Sequence, residues 1–233
     1  MKLLKILVVA LAALLSPHFA TAQAATPVIL VFGDSLSAEY GIARGSGWVS
    51  LLSDRLRKEG FPHRVVNASI SGETTAGGLA RLEGNLKKQR PQFFVLALGA
   101  NDGLRGLPVA QTRKNIESML ALAANAGAQA MIIGIRMPPN YGPDYTRSFD
   151  RLFEDIARRR ALPVVPFLLE GIAENPSYFQ ADAIHPNERA QPRILNNVWP
   201  TLSQLIQSSG AAPVVDPAAR PAGGPASPVQ SRP

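Results

Sequence analysis

The sequence predicts an α/β fold, a three-layer α/β/α sandwich around a parallel sheet of about five strands. Two observations carry that expectation. Short, continuous apolar runs occur at Val28–Phe32, Val65–Ala68, Phe93–Leu98, Ala130–Ile135 and Pro163–Phe167. Between them lie longer segments whose apolar residues recur at helical spacing. Strands that are apolar on both faces must be covered on both faces, and the intervening helices supply the cover.

The elements follow in chain order. "MKLLKILVVALAALLSPHFATAQA" has Lys2 and Lys5, then an apolar stretch from Ile6 to Leu15, then Ala20-Thr21-Ala22. This is the layout of a secretory signal peptide over residues 1–22, cleaved after an A-x-A site. The apolar run falls short of the roughly 20 residues of a membrane span; the alternative is an uncleaved anchor. The expectation is therefore a periplasmic or secreted protein. After the first strand, "GWVSLLSDRLRKEG" puts Val49, Leu52 and Leu56 on one face, with Gly60 as a stop. "VAQTRKNIESMLALAANAG" gathers Ile116, Met119, Leu120 and Ala123 and closes at Gly127. "YTRSFDRLFEDIARRR" aligns Phe149, Leu152, Phe153 and Ile156. "ERAQPRILNNVWPTLSQLI" is the last helical pattern, with Pro192 read as an early break. From Ser208 the chain turns to Pro, Ala and Gly without apolar period, the composition of a disordered tail over 208–233. One domain, 26–207, lies between the two ends, with no internal repeat.

Composition narrows the chemistry. The chain is 46% hydrophobic and 18% charged, and it has no cysteine. That excludes disulfides, cysteine-ligated zinc and a thiol nucleophile. Asp, Glu and His are not clustered at metal-ligand spacing, so no metal and no other cofactor is expected. Cleavage takes Lys2 and Lys5 from the 24 basic residues, leaving 22 against 17 acidic and a balance of +5. That balance is compatible with peripheral contact with an anionic membrane surface. No nucleic-acid recognition motif is present, so no such partner is expected. "ARRR", 157–160, reads as a solvated helix end.

Ligands in open α/β sheets bind beyond the carboxyl ends of the strands. In "VILVFGDSLSAEYGI" the first strand ends, Gly33 permits a tight turn, and Ser35 emerges at that rim. The second strand delivers "SISGETT", with Gly72 and Thr74. The third delivers "GANDGLRG", with Gly99, Asn101 and Asp102. A hydroxyl needs a base to act as nucleophile. The chain has three histidines. His18 leaves with the leader. His63 enters a strand, so it belongs at the far end of the sheet. His185, in "ADAIHPNE", remains, with Asp182 three residues before it to fix its tautomer. Acyl transfer also needs oxyanion donors. The backbone N–H groups of Ser35 and Gly72 and the side-chain amide of Asn101 all come from this edge.

"GDSLS", the block around Gly72, "GAND" and "DAIHP" occur in that order and resemble the four blocks of the SGNH (GDSL) hydrolases. The likeness runs from about Val28 to Trp199. "GANDGLRG" and "MPPNYGPDY" are similar to the periplasmic thioesterase, arylesterase and lysophospholipase subgroup. The resemblance implies a flavodoxin-like α/β/α fold and a serine esterase for aryl, short to medium acyl and lysophospholipid esters, and acyl thioesters. It also implies Ser35 as nucleophile, Asp182 and His185 completing the triad, and Gly72 and Asn101 in the oxyanion hole. Small acyl esters are the partners expected. The α/β-hydrolase elbow G-x-S-x-G does not fit, because Ser37 stands where its second glycine would be.

Each residue has a plainer reading. Ser35 could cap a helix, Gly72 could serve a turn, Asn101 could bond its own loop, and His185 could be a surface histidine before a proline. Asp34 reads as a turn acceptor, and Asp102 and Arg105 as residues that fix a loop. Met137, Pro138, Pro139 and Tyr141, in the connection after the fourth strand, could wall an acyl chain or make a rigid turn. Two other functions stand beside the esterase: a carbohydrate O-acetyl esterase, and a non-catalytic binding module on the same fold.

Overall fold

The structure is a computed structural model that describes residues 26–210. The expected leader, 1–22, and residues 211–233 of the expected tail lie outside the described residues, while Ser208, expected to begin the tail, closes the last helix. Five parallel strands form one sheet in the order β2-β1-β3-β4-β5. They are β1 (Val28–Gly33), β2 (Arg64–Asn67), β3 (Phe93–Ala97), β4 (Gln129–Ile133) and β5 (Val164–Val165). Val31 stands opposite Asn67 on one side and Val95 on the other. β1 and β3 are buried along their whole length, as continuous apolar runs in a covered parallel sheet require.

Six α-helices occur among the described residues: α1 (Trp48–Lys58), α2 (Thr75–Gln89), α3 (Ala100–Leu104), α4 (Val109–Asn125), α5 (Pro143–Arg160) and α6 (Gln191–Ser208). α1 packs on α6, while α4 packs on α2 and on α5. The predicted stripes are the buried ones: Val49, Leu52 and Leu56; Ile116, Met119, Leu120 and Ala123; and Phe149, Leu152, Phe153 and Ile156. Gly60 and Gly127 take the left-handed backbone that ends a helix.

Three expectations need correction. Pro192 does not break the last helix: it stands in the first turn of α6, where its missing N–H has no partner to lose. The proline inside the helix is Pro200, and the buried face Ile194, Val198, Leu202 and Ile206 runs past it. β5 has only two residues, because Pro163 and Pro166 flank it and neither can donate to the ladder. α2 and α3 were not anticipated: α2 carries Gly77, Gly78 and Gly84, which dilute its apolar period.

The strands share one direction and each major helix returns the chain, so the last helical turns lie at the end of the sheet away from the strand carboxyl ends. Arg55, Arg57 and Lys58 of α1, Lys87 and Lys88 of α2, and Arg158, Arg159 and Arg160 of α5 all stand there. Cations at helix C-termini oppose the negative end of each dipole.

Gly78 and Gly84 of α2 predict opposite outcomes for one substitution. Alanine is better than glycine in a helix by about 1 kcal/mol. Gly84 is exposed, with open space where a Cβ would stand, so Gly84→Ala raises the denaturant midpoint. At Gly78 a Cβ would fall 3.1 Å from the Phe32 ring and closer still to Leu98. Overpacking costs about 1–3 kcal/mol, so Gly78→Ala lowers the midpoint. Equal shifts in the two variants would contradict this packing of α2 on the sheet.

Candidate active site

β1 ends in a close approach. A Cβ at Gly33 would lie 3.0 Å from the Ala97 carbonyl oxygen of β3 and 2.9 Å from Ser37 Oγ. The chain then turns away from the sheet. The Ser37 N–H donates to the Asp34 carbonyl (3.1 Å) and the Leu36 N–H to Asp34 Oδ1 (3.1 Å). No helix begins at Ser35, since the turn runs on to Gly41; the helix-cap reading of the serine therefore falls. Two side chains from outside brace this turn: Trp48 Nε1 donates to the Leu36 carbonyl (3.1 Å), and Asn67 Nδ2 to the Ser37 carbonyl (2.7 Å).

Asp34 is the turn acceptor its position suggested, but it is also 1% exposed. Burial pushes its carboxyl up to about 7, against the Leu36 N–H, which lowers it; the charges of Asp102 and Glu73 add to the rise. Its Oδ2 has no hydrogen-bond partner among the described residues.

His185 arrives from the other end of the chain in a tight turn. Asp182 Oδ1 accepts the N–H groups of Ile184 and His185, each at 3.0 Å. Ala183, between Asp182 and Ile184, takes a left-handed φ of 57°. Asp182 Oδ2 lies 2.7 Å from His185 Nδ1, and His185 Nε2 lies 2.9 Å from Ser35 Oγ. The backbone N–H of His185 first, then that of Ile184 and the imidazole itself, hold the Asp182 carboxyl down at about 2. An ionised carboxylate only accepts, so Nδ1 carries the ring proton and the Nε2 lone pair faces the serine hydroxyl. His63 lies at the other end of the sheet, buried against Phe61 and Phe93, and burial lowers its pKa.

Gly72 and Asn101 come from the loops after β2 and β3. The Ala68 N–H donates to the Val31 carbonyl (2.8 Å) and the Ile70 N–H to the Gly33 carbonyl (3.0 Å), which ties the Gly72 loop to the end of β1. Gly72 has a φ of 77°, and a Cβ there would meet open space. Asn101 Nδ2 donates one proton to the Glu73 carbonyl (3.0 Å), and its amide keeps a second. Neither the Ser35 N–H nor the Gly72 N–H has an acceptor among the described residues.

Asp102 and Arg105 fix these loops. Asp102 is buried and accepts the Thr75 N–H (2.8 Å), Thr75 Oγ1 (2.5 Å) and Thr112 Oγ1 (3.4 Å). Arg105 donates to the Gly72 carbonyl (3.0 Å). Thr74 caps α2, its hydroxyl accepting from the Gly77 N–H. The sequence reading missed the braces Trp48 and Asn67; a polar asparagine closing an apolar strand was the available signal for the second.

Met137 does not stand where a wall for an acyl chain would meet it. It is 6% exposed and packs its thioether against Gly103, so it fills the underside of its loop. Pro138 is exposed and Tyr141 half-buried. The Tyr141 hydroxyl donates to the Leu104 carbonyl (2.9 Å), which joins this connection to the Asn101 loop.

The depressed Asp182 carboxyl sets a pH expectation. Its folded value of about 2 lies below the ordinary value near 3.9. The stabilisation it gives the turn is therefore complete above about pH 4 and lost only as pH falls toward 2. Asp182 therefore stays ionised through the neutral range and contributes no step in rate above about pH 4. Asparagine keeps Oδ1 for the two backbone N–H groups but presents the wrong partner to Nδ1. Asp182→Asn lowers kcat about 10⁴-fold with little change in melting temperature. A kcat that survives Asp182→Asn contradicts an orienting carboxylate.

Known proteins resemble this chain in sequence and fold. Esterase TesA of Pseudomonas aeruginosa is 50% identical over 186 residues, 80% of this chain and 92% of TesA. Thioesterase 1/protease 1/lysophospholipase L1 of Escherichia coli K12 is 38% identical over 183 residues, 78% of this chain and 86% of that protein. A crystal structure of TesA superposes with a TM-score of 0.75, covering 76% of this chain and 99% of the TesA chain. The model of one family matches residues 31–192, and the chain belongs to that family, the GDSL-like lipase/acylhydrolases.

Proposed function

We propose that this chain is a serine esterase working through an acyl-enzyme, with Ser35 as nucleophile, His185 as general base and acid, and Asp182 orienting the imidazole. One observation carries the reading: an unbroken chain of contacts, 2.7 Å from Asp182 to His185 and 2.9 Å from His185 to Ser35, between groups 150 residues apart. Ser35 Oγ attacks the ester carbonyl carbon as Nε2 takes its proton. The carbonyl oxygen becomes an oxyanion, and the N–H groups of Ser35 and Gly72 with the free amide proton of Asn101 receive it. Nε2 returns the proton to the leaving oxygen as the carbon–oxygen bond breaks. A water then repeats the sequence on the acyl-serine.

The curated relatives are named esterase, arylesterase and thioesterase/lysophospholipase. These names support aryl esters, short to medium acyl esters and single-chain lysophospholipids as substrate classes here, with thioesters cleaved by the same steps. Pro138 and Tyr141 line the loop that an acyl chain would meet. The binding-module alternative leaves the aligned triad without a purpose. Neither tryptophan offers the O-acetyl sugar alternative a platform, since Trp48 is 0% and Trp199 8% exposed. The leader of 1–22 supports export to the periplasm, and domain limits of 26–207 leave the tail outside the catalytic unit. The cations at the helix C-termini would present to an anionic membrane the end remote from Ser35.

Ser35→Ala lowers kcat by about 10⁴-fold or more on 4-nitrophenyl butyrate. A fluorophosphonate probe labels the wild type and not the variant. Labelling of Ser37 or Ser71 instead would overturn the assignment. Asn101→Ala costs about 10²–10³-fold in kcat with a small change in KM; a rise in KM with kcat spared would make Asn101 a ground-state binding residue.

A further inference from the structure

We propose that Tyr40 is the leaving-group subsite of this enzyme, an aromatic shelf that selects for aryl alcohols. The inference rests on the esterase reading and adds to it where the departing group sits.

Tyr40 is one of four large hydrophobic residues that stand exposed among the described residues, at 49%. Its ring centroid lies 4.3 Å from that of His185, tilted by 42°. An exposed aromatic normally swings freely, but this one is held by its backbone. Gln180 Nε2 donates to the Tyr40 carbonyl (2.8 Å) and to the Pro186 carbonyl (3.1 Å), clamping the Tyr40 turn to the His185 turn. Glu39, the residue before, has a left-handed φ of 59°, a strained backbone for a non-glycine residue. Its carboxylate offsets that strain by accepting the N–H groups of Gly45 and Gly47 and the Ser50 hydroxyl. Burial pushes this carboxyl up, but those hydrogen bonds outweigh it and hold the group below its usual range.

The direction of the chemistry assigns the place. Nε2 must hand its proton to the leaving oxygen, so the leaving group departs beside His185. The oxyanion donors Gly72 and Asn101 belong to the loops after β2 and β3. Tyr40 belongs to the loop after β1. A small, partly enclosed cleft whose lining includes Ser35, Tyr40, Ile42 and His185 takes in neither Gly72 nor Asn101. A phenyl group attached to the leaving oxygen lies against the Tyr40 face at stacking or edge distance; a small alkyl group does not reach it. The acyl chain, on the other side of the carbonyl carbon, does not meet Tyr40, so the subsite acts on acylation and is silent once the alcohol has left.

Phenyl butyrate and ethyl butyrate share the acyl group and differ only in what leaves. With the wild type, Tyr40→Ala and Tyr40→Phe, kcat/KM is measured on both esters, with the pre-steady-state burst on 4-nitrophenyl butyrate. Tyr40→Ala lowers kcat/KM on phenyl butyrate about 3- to 10-fold and changes ethyl butyrate by less than about 2-fold. The deacylation rate after the burst is unchanged, and Tyr40→Phe behaves as wild type on both esters. The ratio of the two esters comes from one preparation, so a smaller active fraction cancels. A parallel fall on both esters, or a slowed deacylation, would make Tyr40 a support for His185 and overturn the subsite. An unchanged ratio would overturn it too. Equal hydrolysis by wild type and Ser35→Ala would instead overturn the esterase reading.

Discussion

The close approach at Gly33 governs the geometry of the site. β1 is hydrogen-bonded on both sides, by β2 and β3, and at its last residue the backbone of β3 comes within 3.0 Å of where a side chain would begin. Only glycine fits there without moving the strands apart. Because the two neighbours are held so near, the loops that follow β1, β2 and β3 leave the sheet side by side. The Ile70 N–H donates to the Gly33 carbonyl itself, so the residue that frees Ser35 from the sheet also anchors the Gly72 loop. The sheet order reverses between β2 and β3 about β1, which opens the crevice at that point.

Around this fixed edge the enzyme uses locally strained turns. Glu39 and Ala183 are both left-handed without being glycine, and they stand in the two turns that meet at the imidazole. Each is paired with a carboxylate that gathers backbone N–H groups: Glu39 takes those of Gly45 and Gly47, Asp182 those of Ile184 and His185. The same Asp182 group therefore shapes the turn through one oxygen and orients the imidazole through the other. Such strain persists where surrounding hydrogen bonds over-determine the backbone. Asp34, buried next to Ser35 with one oxygen unpartnered among the described residues, is a further cost carried at this edge.

The strand ends and the meeting of Ser35, His185 and Asp182 could be read from the sequence because both depend on local signals. Apolar runs ended at glycine, and elimination left one histidine, with a carboxylate three residues before it. What could not be read depends on packing between distant segments. α2 was hidden by Gly78, whose missing side chain is explained only by Phe32 and Leu98 pressing on the helix. Pro192 looked like a break because the start of α6 is set by the turn at Asn187–Ala190 rather than by apolar period. Met137 looked like a pocket wall because its loop is at the right edge, whereas the bare backbone of Gly103 draws the thioether inward. The braces from Trp48 and Asn67 join residues that are far apart in sequence or share no pattern.

The central claim is that Ser35, His185 and the three oxyanion donors act on one carbonyl carbon. Its most direct test is a crystal structure of the mature enzyme after reaction with a phosphonate ester, whose tetrahedral phosphorus stands in for the intermediate. The account predicts a covalent bond to Ser35 Oγ. It predicts the phosphonyl oxygen within about 2.7–3.1 Å of the Ser35 and Gly72 N–H nitrogens and of Asn101 Nδ2, with the remaining alkoxy oxygen beside His185 Nε2. An adduct on another residue, or a phosphonyl oxygen turned away from Gly72 and Asn101, would contradict it.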